Sequence, residues 1–291
     1  MPHNQSSLKV SIVVITFNST ENIKKCLEAV QGELQDIGGE LIIFDNNSTD
    51  TTCTIVEQEF KNARLIRSAK NIGFARGVNR AAAAASGEDL LFLNPDMILD
   101  RGAIQELLNV YTQFENVGAV TARMKNSDGT FQPSCRNFPT MHNVFGSRGS
   151  VLAKLPVFKS DYTLPDYDKI TEVPSASATC LLIHNEYFKS LGGFDERFFM
   201  FMEDTDLCMR ISQTGRKVYF NPKAGGRHYW GSGANVSRAK RLFYHHHSVW
   251  KYFLKYYPNG FSLFMLPIAL FFNFLISMIK GRIKNGATEE S

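Results

Sequence analysis

The run Lys9-Val-Ser-Ile-Val-Val-Ile-Thr-Phe-Asn18 decides the fold. Between Val10 and Thr16 it is short, β-branched and apolar, which reads as a strand, and it ends on the polar pair Phe17-Asn18. Directly after it, Thr20 to Leu34 carries Ile23, Leu27, Ala29, Val30 and Leu34 at roughly helical spacing. A second strand, Glu40 to Phe44, ends at Asp45, and the turn Asn46-Asn-Ser-Thr-Asp50 supplies side chains able to cap a helix through Phe60. The alternation continues with a strand at Arg64 to Arg67, an alanine-rich helix at Ala75 to Ser86, a strand at Asp89 to Leu93, a helix at Gly102 to Phe114 and a strand at Val117 to Thr121. Such alternation predicts a mostly parallel α/β sheet covered by helices on both faces. Open sheets of this kind bind ligands in the crevice beyond the carboxyl ends of their strands.

Polar residues stand at four of those ends: Thr16 to Asn18, Asp45 to Asn47, Asn71 to Asn79 after the third strand, and Asn94-Pro-Asp96 after the fourth. Asn and Asp are also the commonest turn residues, so any one of these reads equally as a plain turn. Four at one edge point to a binding crevice. In Asn71-Ile-Gly-Phe-Ala-Arg-Gly-Val-Asn79 the glycines allow backbone to approach a ligand, and Arg76 beside a helix start favours a phosphate. The spacing is neither a P-loop nor a dinucleotide fingerprint.

Further on, Phe198-Phe-Met-Phe-Met-Glu203-Asp204-Thr-Asp206-Leu places three carboxylates behind a large apolar run. Burying that run draws the carboxylates toward low dielectric, which raises proton affinity and makes a general base that works near neutral pH. A helix N-terminus with solvated acids is the alternative reading.

Composition sets the limits. The chain of 291 residues is 44% hydrophobic and 21% charged, enough for one large core with an appendage. A net charge of +4, with its basic excess near the C-terminus, points away from nucleic acid and toward a membrane face. Cys26, Cys53, Cys135, Cys180 and Cys208 are odd in number and lack CxxC spacing, so neither a disulfide framework nor a zinc cluster is indicated. The polar start, running straight into a strand, has no secretory pattern, and the catalytic part is expected in the cytoplasm.

Taken together, Ser11 to Asn18, Asp45 to Asp50, Asn71 to Asn79, Asn94-Pro-Asp96, Gly192-Gly-Phe-Asp-Glu-Arg-Phe-Phe199, Glu203-Asp-Thr-Asp-Leu207 and His228-Tyr-Trp-Gly-Ser232 resemble the family 2 glycosyltransferases of GT-A fold, most of all their bacterial rhamnosyltransferase branch. The resemblance covers roughly residues 9 to 250. It implies that Asp45 binds the base of a nucleotide sugar and that Thr16, Asn18, Asn47 and Asn94 help line the donor site. Asn71, Gly73, Phe74, Arg76 and Asn79 would lie along its diphosphate. Asp96, with His228, would hold a divalent cation, Mg²⁺ or Mn²⁺, and Asp204 would be the catalytic base, with Glu203 and Asp206 orienting it or the acceptor. The family's metal motif is often Asp-x-Asp, and here its first position is Asn94, which leaves one carboxylate. A histidine suits Mn²⁺ better than Mg²⁺. The implied reaction is inverting transfer from dTDP-L-rhamnose, or from a UDP-hexose or UDP-galactofuranose, to a lipid-linked saccharide in O-antigen or cell-wall assembly. A silent nucleotide-sugar-binding scaffold and nucleotidyl transfer are the competing readings.

The expected organisation is a catalytic domain over 1–235, with a nucleotide-sugar half over 9–125 and an acceptor half over 126–235, followed by C-terminal helices over 236–291. Periodicity fades from Asn126 to Val173, a stretch holding Arg136, His142, Arg148, Lys154 and Lys159 that reads as an acceptor-side lid. Trp230, Arg241 and His245 are candidate acceptor contacts, and His245 to His247 reads as a helix face. Phe261 to Ile279 is almost wholly apolar and flanked by Arg238, Lys240 and Arg241 on one side and Lys280, Arg282 and Lys284 on the other. Basic residues at both ends fit an interfacial helix on the cytoplasmic face of the inner membrane better than one crossing. A core helix, or the contact of a homodimer, is the other reading.

Overall fold

The computed structural model describes residues 9–141, 162–229 and 236–289, with side chains as far as Ile279. The chain forms two compact units. One holds Met1–Phe138, Thr163–Glu196 and Glu203–Asn235; the other holds Pro139–Tyr162, Arg197–Met202 and Val236–Ser291.

The first unit alternates as expected: β1 (Val10–Thr16), α1 (Ile23–Ile37), β2 (Gly39–Asp45), α2 (Thr52–Glu59), β3 (Arg64–Arg67), α3 (Phe74–Ala82), β4 (Asp89–Leu93), β5 (Met97–Leu99), α4 (Ala103–Gln113) and β6 (Val117–Lys125). Short strands β7 (Phe131–Gln132), β8 (Cys135–Arg136), β9 (Thr171–Val173) and β10 (Ser175–Ala176) follow. Then come β11 (Cys180–His184), α5 (Asn185–Ser190), α6 (Glu203–Gln213) and β12 (Lys217–His228). Helix α1 starts three residues later than its apolar spacing predicts. Thr20 N is held instead by the Asp50 carboxylate at 3.2 Å, so the chain turns before it coils.

Strands β3, β2, β1 and β4 are parallel; β11 runs against β4 and β6; β12 runs parallel to β6, and β5 closes the edge antiparallel to β12. The parallel pairings therefore bring the carboxyl ends of β1, β2, β4, β6 and β12 to one edge, and β11 begins there. Both faces of the sheet are covered. Ile12 and Val14 pack with Ile23, Leu27, Ile104 and Leu107 under α1 and α4, while Val13 and Ile15 pack with Ala75, Val78, Phe188 and Leu207 under α3, α5 and α6. This is why β1 is apolar at consecutive positions rather than alternating. Buried Glu33 of α1 caps α4, accepting from Gly102 N at 2.6 Å and Ile104 N at 2.9 Å. A helix N-terminus has unpaired N–H groups, and a carboxylate satisfies them while matching the dipole.

The second unit is built on α7 (Arg238–Tyr256), a π-helical turn (Phe261–Met265) and α8 (Leu266–Glu289). The two helices form an antiparallel hairpin, with Arg238 Nη2 donating to Ser277 O at 3.1 Å. Ser262, Leu266 and Leu270 form a buried stripe one helical turn apart, whereas Phe264, Ile268, Phe271, Phe272 and Ile279 are each more than half exposed. Phe261–Ile279 is long and apolar enough to cross a membrane, by length and composition alone. On its other side α7 grips the Arg197–Met202 segment. Ser248 Oγ donates to Met200 O at 2.9 Å, Lys251 Nζ donates to Arg197 O at 2.6 Å, and the Tyr244 ring stacks on Phe199 at 4.5 Å.

Candidate active site

The carboxyl edge of the sheet collects the polar residues that the sequence singled out. Asp45, at the end of β2, is 3% exposed and fully engaged: Thr16 Oγ1 donates to its Oδ1 at 3.0 Å and Ser48 N to its Oδ2 at 2.9 Å. Asn18 and Asn47 adopt left-handed backbone, with φ of 52° and 70°, a conformation Asn tolerates better than most side chains. Asn18 Oδ1 accepts from Thr49 N at 2.8 Å, which locks the Asp45 turn onto the end of β1.

The Asn71 to Asn79 segment is clasped by Asn46. That side chain donates to Gly73 O and accepts from Ile72 N, both at 3.0 Å, while Asn71 Oδ1 accepts from Gly73 N at 3.0 Å. Gly73, at φ +89°, turns the chain into α3. Arg76, in the first turn of α3, is half exposed and pairs with Glu196 at 3.2 Å. Asn79 faces inward: it donates to Phe194 O at 2.9 Å and accepts from Phe194 N at 2.8 Å, so its amide braces the Gly192–Gly193 loop. Phe74 meets the same Phe194 edge to face at 6.0 Å.

Beyond β4, Asn94 Nδ2 donates to Thr179 Oγ1 at 3.3 Å. Asp96 and His228 are brought together from distant parts of the sequence: Asp96 is 3% exposed, His228 is 5% exposed, and Oδ1 lies 3.2 Å from Nε2. Apart from this contact, at ion-pair distance, neither atom has a polar partner. His228 Nδ1 meets Gln132 Oε1 at 2.7 Å. Among the described residues no group of three or more His, Cys, Asp or Glu that could hold a metal ion converges, so a cation at this pair would need oxygens from elsewhere. A buried carboxylate oxygen left without a donor is costly, and an oxygen-seeking cation would satisfy it.

The three carboxylates of α6 separate into three environments. Helix α6 ends just before β12 starts at the opposite edge and packs along that strand, so its N-terminus points to the carboxyl edge. Asp206 is fully buried and accepts from Arg210 Nε at 2.8 Å. Arg210 Nη1 in turn donates to Leu191 O at 2.8 Å. Glu203 is buried with Oε2 unpartnered, and burial first, then the nearby Asp204 charge, pushes its carboxyl well above the ordinary value. Asp204 is half-buried, with Oδ1 accepting from Thr205 N at 2.7 Å. The two residues before this helix, Phe201 and Met202, both have positive φ, 71° and 67°. Such backbone in bulky residues is strained and clusters at functional sites.

Arg241 and His245 lie exposed on α7 in the second unit, with His245 edge to face against Phe201 at 5.6 Å. Consecutive residues on a helix project about 100° apart, so His245, His246 and His247 do not converge on one point. Trp230, His142, Arg148, Lys154 and Lys159 lie outside the described residues. Arg136 sits on β8. Cys135, Cys180 and Cys208 are buried free thiols, each pushed up to about 12 by burial, which makes them inert packing groups.

Residues 11–192 match the family model for Glycosyl transferase family 2. The chain belongs to that family. Among the relatives of this family 2 glycosyltransferase, it is 28% identical over 256 residues to an N-acetylglucosaminyl-diphospho-decaprenol L-rhamnosyltransferase of Mycobacterium tuberculosis, covering 82% of each chain. It is 24% identical over 252 residues to the rhamnosyltransferase WbbL of Escherichia coli, covering 84% of this chain and 92% of the relative. Its fold is similar to that of a mannosyltransferase from Pyrobaculum calidifontis solved with GDP-Man and Mn²⁺, with a TM-score of 0.57 and 17% identity over 99% of this chain and 82% of that one. The fold is GT-A-like.

Several polar residues of the crevice in this glycosyltransferase carried no sequence signal of their own. Asn46 is hidden inside a motif read for its neighbours. Thr179 and Ser177 precede β11, whose placement beside β4 is a matter of pairing order. Gln132 belongs to a two-residue strand with no periodicity.

Proposed function

We propose that the protein is an inverting glycosyltransferase that moves L-rhamnose from dTDP-L-rhamnose to a lipid-linked saccharide at the cytoplasmic face of the inner membrane. Two relatives whose names specify rhamnosyl transfer favour that sugar over a hexose. The observation that carries the chemistry is the pair Asp96 and His228, a buried carboxylate oxygen and a buried imidazole nitrogen facing each other at 3.2 Å beside the donor crevice. Asp45 recognises the base, and Arg76 at the start of α3 exchanges Glu196 for the donor diphosphate. A divalent cation held by Asp96 and His228 supplies Lewis-acid stabilisation of the departing diphosphate.

Asp204 is the general base. Burial raises the proton affinity of its neighbour Glu203 and Asp206 is committed to Arg210, so Asp204, the one of the three that is partly exposed, is the carboxylate left to take a proton. As the acceptor oxygen attacks the anomeric carbon, its proton passes to Asp204, the bond from that carbon to the diphosphate oxygen breaks, and the nucleoside diphosphate leaves. A single displacement inverts the anomeric configuration. Glu203 and Asp206 are positioning residues, the second through Arg210 and the loop at Leu191.

The exposed face of α8 meets the membrane by lying in its plane. Helix α7 packs along α8 and holds Arg197–Met202 on its other side, so a crossing by α8 would drag Arg238, Lys240, Arg241 and Lys251 into hydrocarbon. Thermal melting with dTDP, UDP and their sugars, with and without Mn²⁺ or Mg²⁺, tests the donor site. A metal-dependent rise with dTDP species supports the reading; a rise with UDP species alone transfers it to a UDP-sugar donor, and no rise in a folded sample overturns it.

A further inference from the structure

A chain of hydrogen bonds with only one allowed direction ends at His228. It begins at the exposed turn joining β6 to β7, where Asp128 accepts from Thr130 Oγ1 at 2.6 Å and from Thr130 N at 2.9 Å, contacts that hold its carboxyl below the ordinary range. Having given its proton to a carboxylate, the Thr130 hydroxyl can only accept from Asn126 Nδ2, at 3.0 Å. The same nitrogen lies 3.4 Å from Phe131 O, a second atom that can only accept. Asn126 therefore presents Oδ1 to Gln132 Nε2, at 2.9 Å. With its nitrogen spent, Gln132 turns Oε1 toward His228 Nδ1, at 2.7 Å. An amide oxygen cannot donate, so Nδ1 carries a proton, and in the neutral imidazole, which has only that one, the Nε2 lone pair is aimed at Asp96.

From this geometry we infer that Asp128, Thr130, Asn126 and Gln132 are positioning residues that hold His228 as its Nδ1–H tautomer, keeping two lone pairs face to face and thereby selecting a divalent cation at Asp96 and His228. The inference rests on the reading of that pair as the cation site. Without the chain, His228 has a better choice for itself: an Nε2–H that donates to Asp96 and relieves the buried carboxylate. That proton would fill the place of the cation. Outer partners of a metal-ligating histidine are generally worth 10–100-fold in metal affinity.

The test is imidazole ¹⁵N NMR on metal-free protein at a pH well above the ordinary histidine range, together with Mn²⁺ titration by electron paramagnetic resonance. Wild type is expected to show a pyridine-type Nε2 at His228. Gln132→Met, which keeps the volume and removes the acceptor, should move the proton to Nε2 and weaken Mn²⁺ binding roughly 10–100-fold. Gln132→Glu should restore both. Asp128→Ala, at an exposed position that leaves packing intact, should shift the tautomer in the same direction to a smaller extent. An unchanged tautomer in Gln132→Met, or a wild type already protonated on Nε2, overturns the inference. A correct tautomer in a wild type whose Mn²⁺ signal is unaffected by Asp96→Ala would leave the orienting chain standing, refuting its cation-selecting role and the metal reading of the site.

Discussion

Asp206 Oδ2 and Arg210 Nε meet at 2.8 Å one turn apart on α6, with the carboxylate wholly buried. The pair is anchored further by Arg210 Nη1 on Leu191 O, so the charge that lies two residues from Asp204 serves the fold of the crevice wall. Removing one partner of a buried pair leaves the other uncompensated, at a cost of about 3–5 kcal/mol. Asp206→Ala should lower stability by about that amount in denaturant titration, with m unchanged.

Asp204→Asn should behave in the opposite way. Stability and donor affinity should stay near wild type, while turnover falls about 10²–10⁴-fold, the usual worth of a general base. Steady-state kinetics beside equilibrium donor binding checks this, and weakened donor binding with normal turnover at saturation would reassign the residue.

Glu203 makes stability depend on pH. Its folded carboxyl binds a proton more tightly than the unfolded one, whose ordinary value is 4.5. In the window above that value the native state holds more protons than the unfolded chain, so stability falls as pH rises until the folded group itself ionises. Glu203→Gln should flatten that decline and raise the melting temperature near neutral pH; parallel melting curves for the two proteins from pH 4 to 8 would remove the argument.

Arg76 and Glu196 are about half exposed, so their ion pair contributes little to stability, on the order of 0–1 kcal/mol. Arg76→Ala should therefore leave the melting temperature within a degree or two and weaken donor binding about tenfold, as read by calorimetry. Equal loss of both would make Arg76 a structural residue.

Phe264 in the π-helical turn and Phe271 and Phe272 on α8 expose 66%, 58% and 58% of their surface. Each should contribute about 1.5–3 kcal/mol when it enters an apolar phase. Replacing all three by Ser should abolish sedimentation with anionic vesicles while the protein stays folded and still binds donor. Retained sedimentation would place the contact elsewhere.

Much of the first unit is legible without coordinates. Val10 to Thr16 and Asp89 to Leu93 form strands at the residues where apolar runs end on polar turns, because strands buried on both faces are near-continuously apolar, and Arg64 to Arg67 forms the short edge strand with its arginines exposed. Strands β5, β11 and β12 escaped that reading. β11 and β12 lie beyond Asn126 to Val173, β5 is a three-residue strand between β4 and α4, and the neighbours of all three are chosen by sheet order rather than by sequence proximity.

Residue types and their order along the chain determined the α/β class, the carboxyl-edge crevice, the family and the apolar C-terminal helix, since periodicity and strand-end chemistry are local properties. Tertiary structure decided what each polar group does. Three carboxylates within one helical turn read alike in sequence, yet burial raises the proton affinity of Glu203, Arg210 claims Asp206 and only Asp204 is left partly exposed. Asp96 and His228 are 132 positions apart and become neighbours only because β5 and β12 pair, Met97 against His228. Desolvation and long-range pairing depend on what surrounds a side chain, and those surroundings exist only in the folded molecule.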